Sequence, residues 1–218
     1  MADFPRNPPI VSPPIRLAVC VSGEGRSLQN LIDQIKAHKL KAEIVQVVAG
    51  RPRIGAIQRA MAAGLPLALA DRAATSRAAF SASIFQPIHD RKADLVILAG
   101  FLSLVDIPDL YRGKVINIHP ALIPAFSGQG FHGRHVHEAV LEMGCKIAGC
   151  TVHFADANYD TGPIILQKSV PVLDDDTPDT LAARVFQAEN QALPEAINLY
   201  AAGRLKIEGR HVRILTKR

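Results

Sequence analysis

The chain has 218 residues, of which 48% are hydrophobic and 21% charged, and this composition predicts a globular protein with a sizeable core. Three cysteines are too few for a disulfide scaffold, and no apolar run reaches the roughly 18 residues of a membrane-spanning helix. The net charge of +5 does not predict nucleic-acid binding, because six of the 25 basic residues but one of the 20 acidic residues lie in 203–218, so the remainder is neutral.

The segment 1–15 contains five prolines and lacks the apolar stretch of a signal peptide. Proline at this density disfavours helices and central strands, so we predict a flexible N-terminal arm, followed by a single domain over 16–218. In that domain short apolar segments alternate with amphipathic ones. In chain order we predict strand 16–21, a helix from the next turn to about 38, strand 43–49, helix 54–63, strand 65–69, helix 76–89, and strands 94–99 and 115–118.

The pattern changes after Pro120. Residues 121–133 are rich in glycine and proline and predict a loop, and a helix is expected over about 134–143. The remaining predicted elements are a hairpin-like pair of strands at 149–154 and 163–172, a long helix from 177 that is interrupted at Pro194 and resumes to 202, and a short basic hairpin. The alternation of strands and helices predicts an α/β fold, a doubly wound and mostly parallel sheet with helices on both faces.

The turn after the first strand, SGEGRS at 22–27, is a candidate phosphate site. Backbone N–H groups of Gly23 and Gly25 and the dipole of the next helix favour an anion there, and Arg26 and Ser27 add donors. A tight turn that requires glycine for its backbone angles explains the same residues about as well. The third glycine and the later acidic residue of a dinucleotide-binding fingerprint are missing, which disfavours a nicotinamide cofactor.

Asn117 and His119 are candidate catalytic residues at the carboxyl end of the strand that begins at 115. A period of two places both side chains on one face, and open α/β sheets bind ligands at this edge. An asparagine amide can donate to an oxyanion, and a histidine exchanges a proton near neutral pH. The alternative is a pair of strand-end polar residues that the surrounding protein satisfies.

Asp160 alone is most simply a turn residue, but close to His119 it would raise the pKa of the imidazole or order a water.

We expect no metal site. The three histidines His132, His135 and His137 do not share a helix face, and no zinc-binding motif is present.

Five segments, taken in this order and spacing, resemble the phosphoribosylglycinamide formyltransferases of purine biosynthesis. They are VSGEG at 21–25, LAGFL at 98–102, NIHPALIP at 117–124, TVHF at 151–154 and DTGPII at 160–165. The resemblance covers about 16–205 and implies a Rossmann-like formyltransferase fold. It also implies transfer of a formyl group from 10-formyltetrahydrofolate to the amine of phosphoribosylglycinamide, which yields formylglycinamide ribonucleotide and tetrahydrofolate.

The resemblance assigns roles to three catalytic residues. Asn117 would stabilise the oxyanion, His119 would donate a proton to the leaving folate nitrogen, and Asp160 would raise the pKa of His119. The implied ribonucleotide phosphate site consists of Gly23, Gly25, Arg26, Ser27 and Glu189. This chain departs from the family in having Arg26-Ser27 where Ser-Asn is usual, and Phe186 where Lys or Gln is frequent.

The resemblance also implies a folate pocket, with apolar walls and backbone polar groups that suit a pterin ring. Its members are Arg77, Leu102, Ser103, Leu104, Val105, Asp156, Ala157, Asn158, Tyr159 and Asp160. Arg77 can equally be a solvated cation at the start of a helix. The glycine-rich loop 125–133 resembles a mobile segment that covers the site.

Three alternatives remain at this stage. A formyltetrahydrofolate deformylase would use water as the acceptor, and a related formyltransferase would use another amine; the methionyl-tRNA enzyme normally carries a further C-terminal domain, for which we expect no room. A non-enzymatic folate- or nucleic-acid-binding module would depend on the basic tail. We expect instead small-molecule substrates, no nucleic-acid or membrane partner, a monomer or homodimer, and a cytoplasmic location.

Overall fold

The computed structural model describes residues 4–5, 11–70 and 76–216. Nine strands of the described chain form a single mixed sheet in the order β3-β2-β1-β4-β5-β6-β7-β9-β8. They are β1 (Ile15–Val21), β2 (Ala42–Ala49), β3 (Leu67–Leu69), β4 (Leu95–Ala99), β5 (Val115–His119), β6 (Ile147–Phe154), β7 (Ile164–Pro171), β8 (Leu205–Glu208) and β9 (His211–Ile214). The first five are parallel, and β6 and β7 form the predicted antiparallel pair.

Helices cover both faces of this sheet, which confirms the predicted α/β class. They are α1 (Arg26–Lys36), α2 (Gly55–Ala62), α3 (Arg77–Asp90), α4 (Arg134–Glu142) and α5 (Pro178–Ala201). Alternate residues of the buried strands face opposite cores, as period two requires. Leu17 and Val19 pack with α1, α2, α4 and α5, whereas Ala18 and Cys20 pack with α3.

The chain reverses direction across the sheet at β1. From β1 it proceeds outward through β2 and β3, and it then returns to add β4 and β5 on the other side. Crevices form at the carboxyl ends of strands at such a reversal point, because the connections on its two sides diverge. The turn after β1 and the segment after β4 therefore flank an opening, and the end of β5 lies beside it.

Helix α5 is continuous through Pro194, contrary to the predicted interruption. Proline cannot donate the usual hydrogen bond to the carbonyl four residues earlier, so the carbonyl of Asn190 loses its partner within the helix. The side chain of Asn30 in α1 donates to that carbonyl at 3.2 Å. A contact from a neighbouring helix thus replaces the missing bond, and no local sequence pattern reveals it.

Parts of the N-terminal segment contact the domain. The ring of Phe4 lies 6.1 Å from that of Phe154, and the backbone N–H of Val11 donates to the carbonyl of Ala201 at 3.3 Å. Residues 1–3 and 6–10 of the predicted arm lie outside the described residues, as do Lys217 and Arg218 of the basic tail. Flexibility of the arm and the single-domain boundary at 16 stay predictions.

Candidate active site

A cleft of about 730 Å³ opens at the carboxyl ends of β1, β4 and β5. The turn after β1 and the segment 98–105 both line it. Asn117 and His119 of β5 lie on its floor, and His119 is only 4% exposed. The structure therefore brings the predicted catalytic and phosphate-binding groups into one cavity.

Asp160 and Asn117 are in direct contact, although they lie 43 positions apart. The amide nitrogen of Asn117 donates to Oδ1 of Asp160 at 3.2 Å and lies 3.0 Å from Nε2 of His153. Nδ1 of His153 is 2.8 Å from the Phe154 carbonyl, which can only accept, so in the neutral ring Nδ1 carries the proton; Nε2 then presents a lone pair to Asn117 and also lies 3.5 Å from Oδ1 of Asp160. Both amide hydrogens of Asn117 are therefore engaged.

His119 has acceptors at both ring nitrogens. Nδ1 lies 3.5 Å from Oδ2 of Asp160, and Nε2 lies 2.8 Å from the carbonyl oxygen of Phe126. Burial lowers the pKa of His119, while Asp160 and the Phe126 carbonyl oppose that shift and His153 adds to it. The expected effect of Asp160 on His119 is thus present, but burial outweighs it.

The backbone at Asp160 is left-handed, with φ +56°, which asparagine and aspartate tolerate better than most residues. This turn directs the carboxylate into the cleft, where Oδ2 accepts a 2.9 Å hydrogen bond from the N–H of Gly128. Burial works to raise the pKa of Asp160, but the neighbouring histidines and this N–H together lower it. The carboxylate is therefore ionised at neutral pH, as stabilisation of a histidinium requires.

The turn after β1 requires glycine at position 25. Gly25 caps α1 with φ +72°, and a Cβ there would lie 2.7 Å from the backbone of Ala56. Beside it the guanidinium of Arg26 lies 3.7 Å from the centre of the Phe186 ring. Burial raises the pKa of Glu189, in the same region of α5, to about 7, against the opposing effect of Arg26.

Eight of the ten predicted folate residues line the same cleft: Leu102, Ser103, Leu104, Val105, Asp156, Asn158, Tyr159 and Asp160. Ser22, which follows β1, accepts a 3.3 Å hydrogen bond from the N–H of Leu102. This bond connects the turn after β1 to the segment after β4. Two predicted members, Ala157 and Arg77, are not among the lining residues. Arg77 pairs with Asp106 at 2.7 Å, at the end of the segment that lines the cleft.

Some lining residues were not predicted. His153 contacts Asn117 because the two are partners across the antiparallel β5–β6 pair, a register that the sequence does not reveal. His137 is 4% exposed, its Nδ1 has no partner within the described chain, and burial lowers its pKa, followed by the effect of His119. Residues 128–133 of the glycine-rich loop and Arg134, the first residue of α4, also line the cleft.

Within 4–5, 11–70 and 76–216, no group of three or more His, Cys, Asp or Glu side chains is arranged to hold a metal ion. None of the helices in the same residues combines the length and apolar character that crossing a membrane demands. The three cysteines are unpaired.

Comparison with known proteins gives a consistent result. A family model described as formyl transferase matches residues 15–197. A glycinamide ribonucleotide transformylase 1 from Symbiobacterium toebii is 42% identical, with a TM-score of 0.85 over 93% of this chain and 94% of that one. The trifunctional purine biosynthetic protein adenosine-3 of Drosophila melanogaster is 39% identical over 193 residues, which cover 86% of this chain but 14% of that protein.

This chain therefore corresponds to a small part of that trifunctional relative.

A formyltetrahydrofolate deformylase from Pseudomonas syringae also shares the fold, with a TM-score of 0.81 at 21% identity over 93% of this chain and 66% of that one. Because its identity is low, this likeness concerns the fold alone.

Proposed function

This chain belongs to the formyl transferase family, and we propose from that premise that it transfers the formyl group of 10-formyltetrahydrofolate to the amine of phosphoribosylglycinamide. The observation that carries the proposal is the contact of Asn117, His119 and Asp160 on the floor of one cleft. A turn suited to a phosphate and the largely apolar segment 98–105 both line that cleft.

The reaction moves one proton as well as one formyl group. The amine attacks the formyl carbon, a tetrahedral oxyanion forms, and the bond from carbon to the folate nitrogen then breaks. The amine loses a proton and the folate nitrogen gains one, so a residue that holds a proton at this point serves both steps. The products are formylglycinamide ribonucleotide and tetrahydrofolate.

His119 is the proton donor in this proposal. Protonated His119 would present an N–H to each of its two acceptors, and the Asp160 carboxylate stabilises that charge against the cost of burial. When the proton passes to the folate nitrogen, the imidazole becomes neutral, the form that burial favours. The surroundings of His119 therefore stabilise the protonated ring and also favour release of its proton.

Asn117 is the proposed oxyanion donor. Since both of its amide hydrogens are engaged, one must turn from its present partner to the oxyanion during the reaction. Gly23, Gly25, Arg26, Ser27 and Glu189 form the proposed ribonucleotide phosphate end, and the segments 102–105 and 156–160 form the proposed folate end.

The partners that we propose are these two small molecules alone, for a chain that works in the cytoplasm as a monomer or homodimer without a resident metal. A deformylase is the second candidate, because Asn117, His119 and Asp160 could serve attack by water on the formyl carbon as well as attack by an amine. It differs in needing no amine and no phosphate site. The turn at Gly25 and the cation beside it favour the transferase.

The decisive experiment follows the loss of the formyl group from 10-formyltetrahydrofolate, with and without phosphoribosylglycinamide. The proposal predicts turnover only with the ribonucleotide, reduced by roughly 10²- to 10⁴-fold in His119→Ala, the range expected for loss of a general acid. Turnover without the amine would favour the deformylase. An active His119→Ala variant would contradict the role of His119 while leaving the reaction assigned.

A further inference from the structure

Arg26 and Phe186 come from different helices and meet at the phosphate end of the cleft. Arg26 is the first residue of α1, and Phe186 lies in the first half of α5, which packs against α1. The guanidinium carbon lies 3.7 Å from the centre of the phenyl ring, and both side chains line the cleft. This distance is well within the roughly 6 Å of a cation–π interaction.

The charge of Arg26 is available to a ligand. Within the described part of the chain its guanidinium has no hydrogen bond to protein and no ion pair, and the residue is exposed. A guanidinium on an aromatic ring interacts through its flat face, so the N–H groups at its edge remain free. Those N–H groups are the ones that bind a phosphate in pairs.

We propose that the Phe186 ring holds Arg26 in place as the main cation for the 5′-phosphate of the acceptor, so that this pair of residues determines the preference for a phosphorylated acceptor. The proposal rests on the proposed function for the identity of the acceptor. Phe186 acts as a positioning residue, because it restricts the flexible arginine without using any of its donors. The entropy cost of ordering Arg26 is thus met before the ligand arrives.

The position of the ring allows a direct test of whether phosphate binding depends on the location of the positive charge or on the residue that carries it. Since the ring of Phe186 touches the guanidinium of Arg26, a lysine at position 186 would direct its ammonium group to the same place. The double variant Arg26→Ser/Phe186→Lys moves the cation from α1 to α5 without changing the net charge. We expect it to bind phosphate better than Arg26→Ser alone.

The test measures kcat and KM for phosphoribosylglycinamide together with the binding of ribose 5-phosphate by calorimetry. Arg26→Ala should raise the ribonucleotide KM roughly 10- to 100-fold, as expected for losing a hydrogen bond to a charged group. Phe186→Leu, which keeps apolar bulk, should raise it roughly two- to fivefold, whereas Phe186→Tyr should resemble the parent. In each case kcat and the KM for 10-formyltetrahydrofolate should change less than twofold.

The double variant Arg26→Ala/Phe186→Leu should match Arg26→Ala, because without the guanidinium the ring has nothing to hold. Lys36→Ala is the matched control, since it removes a cation from the far end of the same helix and should leave KM unchanged. Additive effects of the two variants, or an unchanged KM in Arg26→Ala, would overturn the proposal. If the parent binds ribose 5-phosphate through Arg26 but transfers no formyl group, the proposed function fails and the phosphate site stands.

Discussion

The carbonyl oxygen of Phe126 lies 2.8 Å from Nε2 of His119, and two residues later the N–H of Gly128 binds Asp160. One short segment of the covering loop therefore contacts both members of the proposed proton-handling pair. Because a carbonyl only accepts, it keeps the proton on Nε2. A substrate nitrogen that takes this proton must replace the Phe126 carbonyl, so we predict that the backbone at Phe126 shifts when substrate binds.

Asp160→Asn tests whether the carboxylate stabilises the protonated ring of His119. Asparagine tolerates the left-handed backbone at this position and can still accept from Gly128, so the fold should be preserved. Without the carboxylate the pKa of His119 should fall further, because Asp160 is the main group that opposes the effect of burial. We expect kcat to fall roughly 10²-fold or more.

The measurement is the chemical shift of the His119 ring protons against pH, alongside the pH profile of kcat. The alkaline limb of the profile, along which protonated His119 is lost, should move to lower pH in Asp160→Asn. An unmoved titration with reduced kcat would assign Asp160 another role, such as direct contact with substrate.

His153→Phe tests whether His153 positions Asn117. The phenyl ring has a similar size but offers no lone pair, so the amide of Asn117 loses one of its two partners. We expect kcat to fall roughly tenfold with little change in either KM, because the amide is then free to leave the geometry that the oxyanion requires.

His153→Gln provides the matched variant, since its side-chain oxygen can accept from the same amide. It should recover part of the lost kcat. Equal activity in the two variants would show that packing, rather than this hydrogen bond, explains the effect. The midpoints of urea unfolding of the two variants show whether either substitution destabilises the fold.

His137 predicts an acid-sensitive fold. Burial, and then His119, lower the pKa of His137 below its usual value. Below pH of about 6.5 the unfolded chain binds a proton that the folded chain refuses, so the free energy of unfolding decreases as the pH falls. Because burial also lowers the pKa of His119, this residue likewise decreases the free energy of unfolding as the pH falls.

His137→Leu should therefore lose less stability than the parent between pH 7.5 and 5.5 in urea unfolding. His135→Ala is the control, because His135 lies on the same helix with its side chain exposed. If His137→Leu keeps the full pH dependence of the parent, the sensitivity arises elsewhere.

The sequence predicted those parts of the site that can be identified from residue type. Polar Asn117 and His119 at the end of an apolar strand indicated the floor of the cleft, and glycines after β1 indicated a turn that lines it. His153 could not be placed in the same way, because its contact with Asn117 follows from an antiparallel register. The Phe126 carbonyl is a backbone group, which no residue type at 126 would reveal.

The same limit applies to α5, where Pro194 predicted a break. Asn30 supplies the hydrogen bond that Pro194 cannot, so the two residues should be energetically coupled although neither contacts the cleft. Asn30→Ala leaves the Asn190 carbonyl unpartnered and should lower the free energy of unfolding by about 1 kcal/mol. In a Pro194→Ala background the new N–H of residue 194 can donate to that carbonyl within the helix.

Asn30→Ala should therefore cost clearly less in the Pro194→Ala background than in the parent. A double-mutant cycle from urea unfolding isolates this difference from the packing that Pro194→Ala itself removes, since Pro194 is buried. Gln29→Ala is a suitable control, because Gln29 precedes Asn30 in α1 but bonds to Asp33 in the same helix and to Arg59 in α2 rather than to α5. Equal costs of Asn30→Ala in both backgrounds would mean that packing of α1 on α5, rather than this bond, keeps the helix continuous.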